Sequence, residues 1–308
     1  MVELQPLLFF DEQRFVRNLN SGNPLTVFKD ALGAANIHFD TRFLEGERVD
    51  TLVHERADFI DRILSYAWDL FTWDKDIALL AVGGYGRREL HPQSDIDLLI
   101  LVKKGNIARY RESIEKFLTF LWDIQLKIGQ SVRSIGECVD EAKADITVAT
   151  NLMESRTLTG DPELRRAMMK ETGPNKIWPS AKFFRAKWDE QIARHRRHGD
   201  KEYNLEPNVK EAPGGLRDIQ MINWVALRHF GRDSLADLVS IGFISEDELN
   251  FLNTGQSFLW KVRYGLHYLA QRPEEKLNFD YQRRLAEMFG YRDSQRLAVE
   301  QFMQQYYR

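Results

Sequence analysis

The stretch from Ile77 to Val102 constrains the fold more than any other part of the chain. Ile77-Ala-Leu-Leu-Ala-Val82 is a short apolar run that stops at Gly83-Gly84, the pattern of a buried strand entering a tight turn. Asp95-Ile-Asp-Leu-Leu-Ile-Leu-Val102 is a second apolar run, and two carboxylates open it. Side chains at i and i+2 of a strand share a face, so Asp95 and Asp97 project together while Ile96 and Leu98 point the other way. Two carboxylates held this close repel, and one tends to keep its proton. A divalent cation removes the conflict, and Mg²⁺ takes oxygen ligands from one or two carboxylates plus substrate phosphates. Gly83 and Gly84 carry no side chain, so backbone N–H groups there can approach a triphosphate closely. Gly84 and Asp95 lie eleven residues apart, which lets a short helix return the chain to the next strand. Burying an acid pair beside Leu98-Leu-Ile-Leu101 is costly without a metal or a partner. The segment therefore predicts a phosphate cradle beside a cation site.

The surroundings are read from hydrophobic period and punctuation. The first 75 residues are predicted to be mostly helical. Val49 to Leu70 has a helical rhythm in which Leu52, Arg56, Phe59, Ile63 and Tyr66 fall near one stripe. Gly105-Asn106 closes the second strand. Ile114, Phe117, Leu118, Leu121 and Trp122 then repeat at helical spacing, which predicts a helix over Arg111 to Leu126. Gly129 to Ser134 reads as a third strand. From Asp145 the chain is expected to be mainly helical, with Asp161 as an N-cap and Pro162 as the first helical residue. Pro174, Pro179, Pro207 and Pro213-Gly-Gly215 punctuate later segments, and Leu259, Val262, Leu266 and Leu269 share one helix face. The tryptophans at 122, 188, 224 and 260 read as core packing.

Charge and composition exclude several classes. With 43 Lys+Arg against 46 Asp+Glu the net charge is −3, without the basic excess of a general nucleic-acid binder. The 43% apolar and 29% charged content fits a globular chain rather than a disordered one. At about 100–200 residues per domain the length suggests two domains, with room for a small third. The lone Cys138 cannot form an intramolecular disulfide and reads as a structural thiol, which suits a reducing cytoplasm. No apolar run approaches the roughly 20 residues of a membrane helix. The segment Lys182 to Arg217 carries 9 Lys+Arg and 6 Asp+Glu, enough to attract a triphosphate or an acidic partner, or simply a solvated helix face.

The Gly83-Gly84 and Asp95-Ile-Asp97 pattern resembles the signature of the DNA-polymerase-β-like nucleotidyltransferase superfamily. Four blocks narrow this to a resemblance to the bacterial PII uridylyltransferase/uridylyl-removing enzymes. They are Gly83 to Ile100, Asp145-Ile-Thr-Val-Ala-Thr-Asn-Leu-Met-Glu-Ser-Arg156, Tyr203-Asn-Leu-Glu-Pro-Asn208 and Lys210-Glu-Ala-Pro-Gly-Gly-Leu-Arg-Asp-Ile219. The resemblance implies an α+β fold: a small mixed-sheet nucleotidyltransferase domain over 72–160, an N-terminal helical region over 1–71, and an all-helical domain over 161–308 forming the other wall of the cleft. It implies transfer of UMP from UTP to a tyrosine hydroxyl of the PII nitrogen-regulatory protein, with release of pyrophosphate. Asp95 and Asp97 would hold Mg²⁺ or Mn²⁺, and Gly83 and Gly84 would seat the triphosphate. The metals would lower the pKa of the attacking hydroxyl and stabilise charge on the α-phosphorus and the leaving group.

The superfamily usually has a third carboxylate, often as Asp-x-Arg on a following strand, whereas Ser131-Val-Arg133 here lacks the acid. Glu154 and Asp145 are the substitutes that the sequence offers, each also readable as a helix-surface or capping carboxylate. Arg87, Arg88, Ser94 and Lys210 or Arg217 are further candidates for nucleotide contact. The competing readings are a solvated Arg87 and Arg88, a strand-capping Ser94, and a helix-start turn with Arg217 paired to Asp218. Other family activities should be missing, because none of the seven histidines is followed by Asp, as the removing hydrolase requires, and the glutamine-sensing domains are C-terminal. The chain is thus expected to be the transferase portion of a longer protein, cut at Arg308. Two other functions remain open: an adenylyltransferase or another nucleotidyltransferase with a different acceptor, and a non-catalytic nucleotide-binding module.

Overall fold

A computed structural model describes residue 7 and residues 9–103, 107–198, 205–231 and 235–308. The strand end at Gly105-Asn106 and the start of the Tyr203 block lie outside these residues. The chain divides into two compact units, Met1–Ile177 and Trp178–Arg308.

The first unit begins with helices set by their caps. Asp11 and Asn23 each accept a backbone N–H two or three residues on, which starts α1 (Glu12–Ser21) and α2 (Pro24–Leu44). The predicted stripe appears on α3 (Val49–Trp68), where Leu52, Arg56, Phe59 and Ile63 are buried and Tyr66 is half-buried. Val53, Ala57, Ile60, Leu64 and Ala67 are buried as well, so α3 is covered on most sides and lies inside the unit. Edge-to-face aromatic contacts tie the three helices together, with Phe15 against Phe28 and Phe10 against Phe59.

The sheet is mixed and four-stranded, in the order β3-β2-β1-β4. Central β1 (Ile77–Ala81) is buried throughout and pairs antiparallel with β2 (Ile96–Val102), Ile77 opposite Val102 and Ala81 opposite Leu98. One-turn helix α4 (Gly83–Gly86) joins them, so Gly83-Gly84 opens a helix rather than a plain turn. Helix α5 (Ile107–Asp123) then crosses over, as a parallel strand pair requires, and delivers β3 (Ile128–Ser134) parallel to β2. Helix α5 starts before the predicted Arg111 and stops short of Leu126. Gln125 adopts a left-handed conformation (φ 65°), and Leu126 N–H bonds back to the Leu121 carbonyl at 3.1 Å, which ends the helix. Ile114, Phe117, Leu118 and Leu121 are buried on α5, whereas Trp122 is 52% exposed, a correction to its reading as core.

After α6 (Ile135–Ala144) and α7 (Ile146–Met153) comes a strand that the sequence did not reveal, β4 (Arg156–Gly160), antiparallel to β1. Its Arg-Thr-Leu-Thr-Gly has one aliphatic side chain and is too short and polar to show a period. Asp161 caps α8 (Pro162–Glu171) by accepting from Glu163 N–H at 2.9 Å, as predicted. The small mixed sheet with flanking helices is the α+β architecture expected from the sequence.

The second unit is helical among its described residues apart from one isolated β-bridge, Asn208 to Lys276. It comprises α9 (Ser180–Arg197), α10 (Leu216–Phe230), α11 (Leu235–Ser240), α12 (Glu246–Ala270), α13 (Phe279–Met288) and α14 (Ala298–Tyr306). Ser245 and Glu248 form a capping box at the start of α12. Val262 and Leu266 form a buried cluster with Leu285 and Phe302, and Leu269 packs on it. Trp224 and Trp260 are buried as expected, but Trp188 is 49% exposed. No helix of the described residues is long and apolar enough to cross a membrane.

Gly86 marks where α4 presses hardest on the rest of the unit. A Cβ at this position would lie 2.3 Å from the Glu154 carbonyl oxygen, which is backbone and cannot rotate away. Gly86→Ala should therefore cost about 1–3 kcal/mol, as overpacking does. Urea unfolding of the variant and the parent, compared at equal slope, measures it.

Candidate nucleotide site

The acid pair sits where β2 begins. Asp95 is exposed just before the strand, and Asp97 is half-buried on it, flanked by buried Ile96 and Leu98. Asp97 stands opposite Gly129 of β3 in the parallel register. A Cβ on Gly129 would fall 2.4 Å from Asp97 Oδ1, and a Cβ on Gly83 would fall 3.2 Å from Asp97 Oδ2. The carboxylate thus fills a notch left by two glycines, one at the start of α4 and one on the neighbouring strand. Gly83 also has φ +57°, a conformation that side-chain-bearing residues rarely adopt. Asn151 of α7 reaches the same place, its Oδ1 3.6 Å from the Gly83 Cβ position. A cavity of about 190 Å³ opens here, lined by Asp97, Gly129, Gln130, Ser131, Arg133 and Asn151 among others. Sequence reasoning missed Gly129 and Asn151. The signal for Gly129 lies in the strand register, whereas Asn151 sits on α7 within the Asp145 to Arg156 block.

A buried polar network holds α4 in place. Tyr85 is fully buried and donates its hydroxyl to Asp61 Oδ1 of α3 at 2.5 Å. Arg156 of β4 grips both oxygens of the same carboxylate, at 2.5 and 2.7 Å, and its guanidinium lies 5.0 Å from the Tyr85 ring centre. Burial, reinforced by the Asp61 charge, pushes the Tyr85 hydroxyl well above its ordinary pKa, so it remains a donor. Arg88 pairs with Asp58 of α3. Arg87 donates to Glu154 at 2.5 Å and to Glu89 at 2.8 Å. Burial alone would lower the Arg87 pKa, but the charges of Glu89 and Glu154 override it and keep the guanidinium protonated.

The other candidates have separate settings. Glu154 is the buried C-cap of α7 with its carboxylate on Arg87, and Asp145 is the N-cap of α7, accepting from Thr147 N–H and Oγ1 at 2.7 Å each. Among the described residues no three His, Cys, Asp or Glu side chains gather as a metal-binding group. Ser94 lines a different cavity from Asp97. Cys138 is buried, and that burial pushes its thiol up to about 12, in keeping with an inert structural role.

Lys210 belongs to the second unit. Burial lowers its amine pKa, and Arg263 and Arg217 lower it further. Arg217 pairs with Glu211 at 3.2 Å, not with Asp218, which takes Arg194 at 2.5 Å and His195 at 3.0 Å instead. Nearby, Arg263 holds Glu275 at 2.7 Å. Burial would raise the Glu275 pKa, but the nearby His267, 3.8 Å away, and the Arg263 charge hold it at about 2. A carboxylate with a depressed folded-state pKa stabilises above its ordinary pKa of 4.5, and that contribution is lost as the pH falls toward 2. The stability gap between the parent and Glu275→Gln should therefore be full at pH 7 and shrink at pH 3. Urea titrations followed by tryptophan fluorescence measure it, and equal gaps at both pH values would refute the assignment.

Residues 60–150 match the family described as nucleotidyltransferase domain, and the small mixed sheet with its flanking helices is consistent with that class. Residues 182–308 match the family described as GlnD PII-uridylyltransferase. The chain is 54% identical over 312 residues to the bifunctional uridylyltransferase/uridylyl-removing enzyme of Stutzerimonas stutzeri (strain A1501). It is 53% identical to the enzymes of that name from Azotobacter vinelandii (strain DJ / ATCC BAA-1303), over 311 residues, and Pseudomonas syringae pv. tomato (strain ATCC BAA-871 / DC3000), over 312 residues. Each match covers 100% of this chain and 35% of the relative, so the chain spans about a third of their length.

Proposed function

We propose that this chain transfers UMP from UTP to a tyrosine hydroxyl of a PII protein. The tyrosine oxygen bonds to the α-phosphorus, the bond from that phosphorus to the bridging oxygen breaks, pyrophosphate leaves, and the hydroxyl proton is lost. The observation that carries the reading is the Asp97 carboxylate seated between Gly83 and Gly129, in a chain whose relatives bear the uridylyltransferase name. The donor set suits Mg²⁺ or Mn²⁺, because Asp95 and Asp97 offer hard oxygen ligands and the glycine notch leaves the Asp97 oxygens room. A bound cation would neutralise charge on the triphosphate and the leaving group. Gly83 and Gly84 would present N–H groups of the first turn of α4 to phosphate oxygens. Arg87, which already carries two carboxylates, would hold α4 in place rather than bind phosphate. The reading implies a cytoplasmic setting, where UTP is found.

Among the described residues no three His, Cys, Asp or Glu side chains gather, which favours one other reading, a module that binds the nucleotide without turning it over. Pyrophosphate release from UTP with purified PII protein and Mg²⁺ separates the two. Turnover is expected with UTP, and Asp97→Asn should reduce it by at least about 100-fold, consistent with losing several kcal/mol of charge stabilisation. Unaltered circular dichroism would show that the variant folds. Triphosphate binding without release would support the module. Preferential turnover of ATP, CTP or GTP would move the chain to another nucleotidyltransferase class.

A further inference from the structure

The cavity at Asp97 extends past the acid pair along β3. Gly129, Ser131 and Arg133 alternate on that strand, so they share one face, and all three line the cavity. Arg133 stands opposite Leu101 in the register, four residues and about 13 Å beyond the pairing of Gly129 with Asp97. Leu99, Val148 and Leu152 add an apolar wall. The volume of about 190 Å³ is below the roughly 300–1,000 Å³ of most ligand pockets, which suits a one-ring base better than a two-ring purine.

Among the described residues that line this cavity, Arg133 is the one cation. Its side chain is half-buried, and its ion-pair contact among the described residues is a loose one, 3.9 Å from the Glu141 carboxylate, with no hydrogen bond from the guanidinium. Glu137 lies close enough to feel the Arg133 charge, but that carboxylate is spent on Ser134, accepting from its N–H and its hydroxyl at 2.7 Å each. Other arginines of this unit are committed, Arg87 to Glu89 and Glu154, and Arg156 to Asp61. A guanidinium donates and never accepts, whereas the Ser131 hydroxyl and the Gln130 amide can do either. Of these three side chains in the cavity wall, Arg133 is therefore the one that can tell a carbonyl from an amino group.

We infer that Arg133 selects the base of the bound nucleotide by donating to the O4 carbonyl of uracil, an assignment that rests on the proposed uridylyl transfer for placing the triphosphate on α4 beside Asp97. The nucleoside then lies along β3, with its ring on the apolar wall. Cytosine has the same ring but an amino group in place of O4, which sets N–H against N–H and leaves both without a partner. A site that reads a polar group by hydrogen bonding rejects an analogue lacking it more strongly than an apolar pocket rejects a small change of size.

The chain is titrated with UTP, CTP and 4-thio-UTP in Mg²⁺ by isothermal calorimetry, with no PII protein present. UTP should bind at least about tenfold more tightly than CTP. In Arg133→Gln, whose amide donates or accepts, the two affinities should come within about threefold of each other while circular dichroism is unaltered. 4-Thio-UTP carries a weak sulfur acceptor in place of O4 and should bind the parent about as weakly as CTP, a comparison that depends on no variant folding. Equal binding of UTP and CTP by the parent would overturn the inference, as would binding of neither. So would equal binding of UTP and 4-thio-UTP, or a folded Arg133→Gln that keeps the parental preference. Selection of UTP without pyrophosphate release in the presence of PII protein would sink uridylyl transfer alone, whereas release from UTP and CTP alike would sink the role of Arg133 alone.

Discussion

The nucleotidyltransferase unit turns on one carboxylate, Asp61, buried in the middle of α3. It accepts the Tyr85 hydroxyl from α4 and both arms of the Arg156 guanidinium from β4. One side chain therefore joins the helical layer, the short helix α4 and the last strand of the sheet. A buried carboxylate is expensive, and removing one partner of such a pair typically costs about 3–5 kcal/mol because the other charge is stranded. What the arrangement gives is location. Tyr85 sits two residues beyond Gly83, so pinning its ring and hydroxyl fixes where the Gly-Gly turn meets Asp97.

A second polar layer works in the same direction. Arg87 reaches from the end of α4 to Glu89 and to Glu154, the residue that ends α7. Helix α7 also carries Asn151 toward the notch and begins on the Asp145 cap. Asp145 and Glu154 thus stand at the two ends of one helix, α7. The acid pair itself is small, an exposed Asp95 and a half-buried Asp97, and the ionic network behind it is larger.

How much of this was legible in the sequence follows from the range over which each signal acts. The β1, α4 and β2 segment was readable because its apolar runs, glycines and acids are contiguous, and the core strands are uniformly buried. The end of α5 was misjudged because the apolar rhythm continues past Asp123, while Gln125 takes a left-handed conformation that its side chain does not announce. Strand β4 was missed because its pairing with β1 supplies what its own side chains do not. Trp122 and Trp188 kept the helical spacing of core residues, yet both are about half exposed. The pairing of Arg87 with Glu154 was out of reach, since it joins segments distant in the chain. Glu154 is 67 positions from the arginine it binds.

The parallel pairing of Asp97 with Gly129 has a consequence for how such a chain can drift. Along β3 the neighbours of Gly129 are Ile128 and Gln130, both with side chains. The stop at Gln125 and the three residues after it set which of them faces the carboxylate. One residue gained or lost in that connection would slide β3 by a position and turn its faces over. A side chain would then stand where Gly129 leaves room for the Asp97 carboxylate. A substitution in the 124–127 connection leaves this register alone, whereas a change in its length moves it, so the loop is constrained by count as well as by the left-handed turn at Gln125.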